Sequence, residues 1–523
     1  MVDANFWGVA PSTEGTRNLA SWIPQISEAG VGSVRAFDSS TETNNLTPLL
    51  DSGFSVVGIL WWSPPGTPLT MPLADIPGWK AYVTEMVTRY KGKVTHWEVW
   101  NEPPNFTEDK TPYGYGQTVA AAYDAAKAVD PTVQIGLAAK SNHVNYLAQA
   151  LEVGAANKFD FLTLHPYECA EMVLTGGEAH FMSIVPTVRK MLMDKNPAKA
   201  GVPIFFTEVG TQAQDPIKQA ALLTKVFVMA LAQGVSRVYW FDPRDSEGLT
   251  FGLLAGDGSK RPAYIAMQTL IANLGKAPTF NGWLNAEYSG FVFSTLTTTF
   301  LVAWAPPGKT VPVRLLSNAK TVLLDAATIT AALLDVTFTE RPLMLVVPRW
   351  SKQAYQWRRE TRVTKASPYS FNGNHAAAQS VSLVPDGTDN GIYMRDALPV
   401  QEFEGVKEFD ATGRNGLSFT VDPAFMSYDT HAVKITAVLR GNGVGDPGFN
   451  FKYESNVPLS YTDWAGRSNT DGWHSIKGIA ATEKSWIVSN PRFIGVFGYN
   501  FTFDTDGPTH ADFSLVSLKV EKF

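Results

Sequence analysis

Two glutamates, Glu102 and Glu208, lie at the ends of apolar stretches that have the pattern of β-strands. The first stretch is Trp97–Pro103 and the second is Phe206–Gly210. A carboxylate at such a position is costly to desolvate unless the strand opens into a polar cleft. Two carboxyl groups facing each other across a cleft are what cleavage of a glycosidic bond requires. The pair therefore predicts acid/base and nucleophilic chemistry at an acetal carbon.

Other strand-like stretches also carry polar or aromatic side chains to their ends. Alternate residues of a strand share a face, and the pairs that do so here are Glu98 with Glu102, His165 with Tyr167, and Trp240 with Asp242. A single pair of this kind is weak support, but the repetition indicates one shared site. Glu98 lies deeper than Glu102 on the same face, so we expect it to point into the core and form an internal ion pair.

These residues belong to an alternating pattern of strands and amphipathic helices. Up to about residue 275 there are eight strand-like runs, at residues 6–10, 31–37, 55–61, 94–101, 133–139, 159–165, 203–208 and 237–241. Eight strand–helix repeats in this length predict a (β/α)8 TIM barrel, whose active site lies at the carboxyl ends of the strands. A doubly wound open sheet is the alternative, but it usually has a glycine-rich loop after the first strand, and none follows here.

The motifs at the strand ends resemble those of clan A glycoside hydrolases. Asn101-Glu102-Pro103 and Glu208 resemble the clan's catalytic signature, and Arg35, His165-Pro166-Tyr167 and Trp240 resemble its supporting residues. Within the clan, residues 1–350 look most like glycoside hydrolase family 39. One departure is the end of the third strand, where several members have a histidine and this chain has Trp61-Trp62.

The resemblance implies a retaining double displacement. Glu102 would be the general acid/base, with a raised pKa, and Glu208 would be the nucleophile. Asn101 would bind the sugar 2-hydroxyl, Tyr167 would hold the nucleophile, and Arg35 would favour its ionised form. The remaining candidate substrate-binding residues are His165, Trp240, Asp242, Trp61 and Trp62.

Some of these candidates have a structural alternative. Trp61 and Trp62 would either stack on sugar or simply pack at the mouth of the barrel. Asp242 would contact a neighbouring sugar unit. No metal or cofactor is expected, because His143 and His165 lack the spacing of paired ligands and the chemistry needs no ion.

Composition narrows the class of partner. The net charge of −6 and the pI of about 5.8 argue against nucleic acid or an anionic membrane. No 18-residue apolar run is present, so no membrane span is expected. Cys169 is the only cysteine, which excludes an intrachain disulfide. We expect a secreted or periplasmic protein whose signal peptide has been removed; a cytoplasmic location stays open, as does the oligomeric state.

The pattern of elements divides the chain into four segments. We predict a catalytic barrel at 1–275, a small β-sandwich domain at 276–350, a polar linker at 351–366 and a β jelly roll resembling a carbohydrate-binding module at 367–523. The last region should fold separately and bind substrate. Its aromatic residues either form a binding surface or, as is more usual for a sandwich, lie in the core; they are Tyr461, Trp464, Trp473 and Trp486.

Together these features predict a retaining glycoside hydrolase acting on a polysaccharide or oligosaccharide. Two alternatives use the same residues differently: a carbohydrate-binding protein on a barrel that has lost catalysis, and a transglycosylase. The sugar, its linkage and its charge stay open, as does endo against exo action.

Overall fold

The computed structural model describes residues 4–38, 46–67, 72–106, 111–285, 287–326, 328–360, 375–385, 389–443, 445–455, 469–496 and 498–523. The chain forms two compact units. The first consists of residues 1–141, 146–176 and 192–365, and the second of 142–145, 177–191 and 366–523. Among the described residues, no helix has the length and apolar character needed to cross a bilayer.

The first unit contains a closed barrel of eight parallel strands in sequential order. These are β1 (Trp7–Val9), β2 (Ser33–Phe37), β3 (Ser55–Leu60), β4 (His96–Val99), β5 (Gln134–Ala139), β6 (Phe161–Leu164), β7 (Ile204–Val209) and β8 (Arg237–Trp240). Strand β8 pairs with β1, so the sheet has no free edge. The predicted (β/α)8 barrel is confirmed, and the open doubly wound sheet is excluded.

Helices follow the strands and end where the local sequence dictates. They are α1 (Thr13–Arg17), α2 (Ile23–Glu28), α3 (Thr47–Asp51), α4 (Ile76–Arg89), α5 (Pro112–Val129), α6 (Val144–Ala150), α7 (Tyr167–Met172), α8 (Glu178–Met182), α9 (Ile184–Lys195), α10 (Pro216–Gln233) and α11 (Pro262–Leu274). Asp75 caps α4 by accepting a hydrogen bond from the Gly78 N–H. Gly234 ends α10 at φ 78°, in the left-handed region that glycine adopts without a steric penalty.

A six-stranded antiparallel sheet follows the barrel in the first unit. Its strands, in the order β13-β12-β14-β11-β10-β9, are β9 (Thr279–Asn285), β10 (Ser289–Ser294), β11 (Thr298–Trp304), β12 (Val311–Leu323), β13 (Thr328–Phe338) and β14 (Leu343–Pro348). Helix α12 (Lys352–Glu360) lies within the predicted linker. Ala354 and Trp357 on this helix pack into the core of the sheet, so this part of the linker is an ordered element anchored by apolar burial.

The second unit is an all-β sandwich of two sheets. One has seven strands, β15 (Ser380–Leu383), β16 (Asp389–Asn390), β18 (Val400–Phe403), β19 (Val406–Asp410), β21 (Val433–Gly441), β24 (Thr482–Val488) and β26 (Phe513–Lys522). The other has five, β17 (Ile392–Met394), β20 (Gly416–Val421), β22 (Gly448–Tyr453), β23 (Asn469–Ser475) and β25 (Phe501–Asp504). Trp486 is buried in the aromatic core of the second unit, whereas Trp473 is 39% exposed. Tyr461 and Trp464 lie outside the described residues.

The second unit also includes two segments from the first half of the chain. The His180 Nε2 atom lies 3.1 Å from the Gly495 carbonyl oxygen, and Thr187 Oγ1 lies 2.6 Å from Ser427 Oγ. His180 is buried, and burial lowers the pKa of its imidazole to about 4. Residues 142–145 and 177–191 belong to the same compact unit as residues 366–523. The expectation that 367–523 folds separately stays a prediction.

Candidate active site

Glu102 lies just beyond the end of β4 on a strained turn. Trp100 and Glu102 have φ angles of 69° and 49°, in the left-handed region that non-glycine residues rarely adopt. The turn is held by hydrogen bonds from Trp100 N–H to the Leu60 carbonyl, 2.9 Å, and from the Asn105 side chain to Glu102 Oε2, 3.2 Å. Such conformations persist where surrounding structure enforces them, and they concentrate at functional sites.

Glu208 lies near the end of β7 and faces the same cavity as Glu102. One carboxylate oxygen of each glutamate and one ring nitrogen of His165 all lie within 4.8 Å of one another. The His165 Nδ1 atom is 2.9 Å from Glu102 Oε1 and 3.6 Å from Glu208 Oε2. The barrel thus brings together two carboxyl groups that are 106 positions apart in the sequence.

Arg35, on β2, orients both Glu208 and Asn101. Its Nη1 donates to Glu208 Oε1, and its Nη2 donates to Asn101 Oδ1 at 2.6 Å. A guanidinium has no acceptor, so Asn101 must present its oxygen to Arg35, which leaves the Asn101 Nδ2 group as a donor. Asn101 lines the cavity, and this donor is suited to a sugar hydroxyl.

Glu98 holds Arg35 from the other side. The Arg35 Nη2 atom donates to Glu98 Oε1 at 2.6 Å, and Nε donates to Oε2 at 3.3 Å. Both side chains are buried, so the predicted internal ion pair is present. Removing one partner of a buried pair leaves an unpaired charge and typically costs about 3–5 kcal/mol. Glu98 is therefore a positioning residue for Arg35 and does not line the cavity.

Tyr167 contacts the second oxygen of Glu208. Its hydroxyl donates to Glu208 Oε2 at 3.0 Å. Burial raises the pKa of the Tyr167 phenol well above its usual value, and the neighbouring Glu208 and Glu102 carboxylates raise it further. Tyr167 is therefore protonated at neutral pH and acts as a hydrogen-bond donor to Glu208. With Arg35 on one oxygen and Tyr167 on the other, the Glu208 carboxyl group is held in one orientation by two hydrogen-bond donors.

The pKa of Glu102 shifts in the direction opposite to our expectation. Burial acts to raise it, but the hydrogen bond and charge of His165, with smaller effects of Asn105 and Lys140, lower it overall. Burial acts to lower the pKa of His165, but Glu208 and Glu102 raise it. Both shifts favour a Glu102 carboxylate paired with a protonated His165, so the proton available at this site is shared between the two groups. The sequence showed both residues but not their contact.

This contact predicts a specific change in pH dependence. In His165→Ala, burial still acts on Glu102 while the two largest interactions that lower its pKa are lost, so its pKa should rise. A general acid works only when protonated, so the alkaline limb of the kcat/KM profile should move to higher pH. The measurement is kcat/KM as a function of pH for the wild type and for His165→Ala, with an aryl glycoside as substrate.

The control for His165→Ala is Thr207→Val. It removes the His165 Nε2 partner, 3.1 Å away, but keeps the histidine beside Glu102, so its alkaline limb should stay close to that of the wild type. An alkaline limb that does not move in His165→Ala would show that this contact does not set the pKa of the acid.

The cavity between the glutamates has a volume of about 520 Å³ and one aromatic wall. Trp61 lines it, stacked on Trp100 with 5.1 Å between ring centroids. Sequence reasoning missed the other lining residues, which are Pro11, Ser12, Thr13, Thr16, Arg17, Phe37, Asp38, Phe106, Phe241 and Glu247. Half of them lie in the loop after β1 and on helix α1, and the others lie at or beyond the ends of β2, β4 and β8. The only signal available for them was proximity to a strand end.

Six predicted substrate-binding residues are absent from this cavity lining. Arg35, His165 and Tyr167 contact the two glutamates from behind it, and the other three are Trp62, Trp240 and Asp242. Trp62 stacks on Tyr82, 6.4 Å between ring centroids, which favours the packing alternative for this side chain. Trp240 is fully buried, and its Nε1 donates to the Phe251 carbonyl; Phe241, one residue later, lines the cavity instead. Asp242 is buried, which raises its pKa to about 7, and it accepts from Ser246 Oγ and the Ser12 N–H.

Glu102, His165 and Glu208 also form a set with the spacing of metal ligands. Their atoms already have protein partners, however: His165 Nδ1 with Glu102, and the Glu208 oxygens with Arg35 and Tyr167. A metal ion would have to displace these interactions. The arrangement fits acid/base and nucleophilic roles without an ion.

Comparison with known proteins supports the barrel. No protein-family model matches the chain. Over 203 residues it is 26% identical to endo-1,4-beta-xylanase 5 of Arabidopsis thaliana, an alignment that covers 37% of this chain and about a third (34%) of that protein. Among solved structures it is similar to a family 39 glycoside hydrolase from Bacteroides cellulosilyticus WH2, with a TM-score of 0.53 and 18% identity over 66% of this chain and 81% of that one.

A second similar structure is a monomeric beta-xylosidase from Caulobacter crescentus CB15. It has a TM-score of 0.50 and 16% identity, and the alignment covers 67% of this chain and 97% of that one. At these identities the likeness concerns the fold. The resemblance to clan A, and within it to glycoside hydrolase family 39, is thus confirmed at the level of the barrel fold.

Proposed function

We propose that the chain is a retaining glycoside hydrolase that cleaves polysaccharides or oligosaccharides. The observation that carries the proposal is the spacing of the two carboxyl groups, with oxygens within 4.8 Å of each other. Retaining enzymes separate their carboxyl groups by about 5–5.5 Å, whereas inverting enzymes need roughly 6.5–9.5 Å to fit a water molecule. The spacing here supports the retaining arrangement.

The chemistry proceeds in two steps. First, a Glu208 carboxylate oxygen attacks the anomeric carbon while the Glu102–His165 pair delivers a proton through Glu102 to the departing oxygen. The glycosidic bond breaks, and the sugar is left esterified to Glu208. Then Glu102 takes a proton from water, whose oxygen attacks the same carbon and releases the Glu208 carboxylate. Two inversions give net retention, with Asn101 Nδ2 placed to bind the 2-hydroxyl.

The substrate class is narrowed by the relatives. The proteins it resembles are named as a xylanase and a xylosidase, so we propose a β-linked pentose substrate as the first candidate. The stacked Trp61 and the neighbouring Phe37, 5.3 Å away between centroids, offer an apolar wall for a sugar ring. A large, polymeric substrate would favour a location outside the cytoplasm.

We also propose that the sandwich of the second unit contributes polymer binding. Trp473 is exposed at the sheet surface, with its ring edge-on to His510 at 5.2 Å between centroids. Trp473→Ala should therefore lower the rate on polymer about threefold or more while leaving aryl glycoside turnover unchanged. An equal loss of rate on the polymer and on the aryl glycoside would count against a binding role for this surface. So would an unchanged rate on both substrates.

The experiment that tests the main proposal is a panel of aryl glycosides and polysaccharides. Turnover with retained configuration in the first-formed product, observed by proton NMR, is expected. Inverted product would refute the mechanism. Binding without turnover would favour the non-catalytic alternative. Transfer to added sugar acceptors in preference to water would favour a transglycosylase.

A further inference from the structure

A patch of aromatic and cationic side chains lies where strand β14 ends and helix α12 begins. We define this basic aromatic patch by Trp350, Lys352, Tyr355, Arg358 and Arg359. All but Arg358 line an open hollow of about 770 Å³. None of these residues lines the cavity between the two glutamates, so the patch is a separate feature of the first unit.

The aromatic members are exposed although the helix that carries them is firmly packed. Trp350 is 81% exposed and Tyr355 is 63% exposed. On the same helix, Ala354 and Trp357 are buried in the core of the six-stranded sheet. The helix therefore already has its apolar face covered, and the exposed rings lie outside it. Exposed aromatic surface grouped in this way is typical of a binding site.

The cationic members give the patch a positive charge within a chain of net charge −6. The Arg358 guanidinium lies 5.2 Å from the Trp350 ring centroid, and Arg349 lies 5.6 Å from it. Lys352 and Arg359 are exposed, and within the described ranges neither has an ion-pair partner. The nearby carboxylate of Glu360 accepts a hydrogen bond from Gln356 at 3.0 Å. Lys352 and Arg359 thus have donors available to a ligand.

We propose that this patch binds a polysaccharide carrying carboxylate groups, such as a uronic acid-substituted chain, outside the catalytic cavity. A flat aromatic ring stacks on the C–H face of a pyranose, and a guanidinium pairs with a carboxylate through two parallel hydrogen bonds. Both groups are present here within one hollow. The ligand class builds on the proposed function, but binding at the patch requires no turnover.

A carboxylated glycan fits better than a nucleic acid or a membrane. Nucleic acids and anionic bilayers are dense polyanions, and the net negative charge of the chain opposes their approach. A glycan with scattered carboxylates needs only a local cationic site and a ring to stack on. The patch supplies these two elements.

The test uses the full chain carrying Glu208→Ala, so that the polymer is not degraded. Binding is measured by affinity electrophoresis to glucuronoxylan and to the same polymer after its carboxyl groups have been reduced. The Glu208→Ala protein should bind the carboxylated polymer about tenfold more tightly than the reduced one, since hydrogen bonds between charged groups are stronger than those to neutral hydroxyls. Lys352→Gln with Arg359→Gln should abolish this preference, and Trp350→Ala should weaken binding to both polymers.

The control is Lys80→Gln, an exposed cation on helix α4, which should leave both affinities unchanged. Equal affinity of the Glu208→Ala protein for the two polymers would overturn the proposal, as would unchanged binding in Trp350→Ala, or tighter binding to duplex DNA or to anionic phospholipid vesicles. The patch variants with Glu208 intact should turn over aryl glycosides like the wild type. Binding that persists without any such turnover would refute the proposed function and leave the patch proposal standing.

Discussion

Glu208→Ala should abolish turnover on every glycoside, with a loss of kcat on the order of 10⁵-fold or more. The carboxyl group of Glu208 is held by Arg35 and Tyr167 and faces the cavity, and it is the group that we propose attacks the anomeric carbon. Without it no covalent intermediate forms, whatever the leaving group. The measurement is single-turnover and steady-state kinetics on a dinitrophenyl glycoside and on a polysaccharide.

The matched control for Glu208→Ala is Glu171→Ala. Glu171 is an exposed glutamate after β6 whose Oε1 accepts from the Thr211 hydroxyl at 3.3 Å, and its loss should leave kcat within about twofold. Thermal unfolding of both variants checks that folding is intact. Substantial activity in a folded Glu208→Ala protein would refute the nucleophile assignment. Added azide that rescues this variant with inverted product would confirm it.

Glu102→Ala should lose activity in proportion to how much the leaving group needs a proton. General acid catalysis contributes about 10²–10⁴-fold, so the full loss is expected on a methyl glycoside or a polymer. A dinitrophenyl leaving group departs without a proton, so the first step should survive and the glycosyl-enzyme should accumulate. A burst of released phenol followed by a slow steady state is the expected signature.

Azide gives the second readout for Glu102→Ala. It attacks the glycosyl-enzyme without base assistance, so it should restore the steady-state rate and give a glycosyl azide of retained configuration. Asn105→Ala, which removes one hydrogen bond to Glu102 Oε2 but keeps the carboxyl group, should respond little to azide. If azide rescue with inversion appeared at position 102, the roles of the two glutamates would be exchanged.

Much of the fold and the central pair followed from local patterns. Each barrel strand shows as an apolar run between amphipathic helices, and eight such repeats allow few architectures. The side-chain period of a strand placed Glu98 and Glu102 on one face, and depth along that strand separated a core ion pair from a residue at the mouth. Periodicity is a property of the chain itself, so the sequence suffices to show it.

Whether a side chain at the end of a strand is buried or faces the cavity was harder to predict. The pattern placed Trp240 at the mouth, but the closed sheet buries it and presents Phe241 to the cavity. Trp62 likewise turns away to pack on Tyr82. A shift of one residue along a strand moves a side chain to the opposite face of the sheet. The residue at which each strand ends depends on its register with the neighbouring strands.

The sequence by itself determined that this chain builds an eight-stranded barrel with two glutamates at its mouth, followed by β-rich regions. Only the tertiary structure decided that His165 contacts Glu102 and lowers its pKa, that helix α12 packs within the expected linker, and that residues 177–191 join the second unit. The physical reason is the range of the interactions. Hydrophobic periodicity is a local property that can be recognised over a few consecutive residues. Electrostatic coupling and packing depend on distances between segments that are far apart in the chain. Those distances are established only when the barrel closes and the cores are buried.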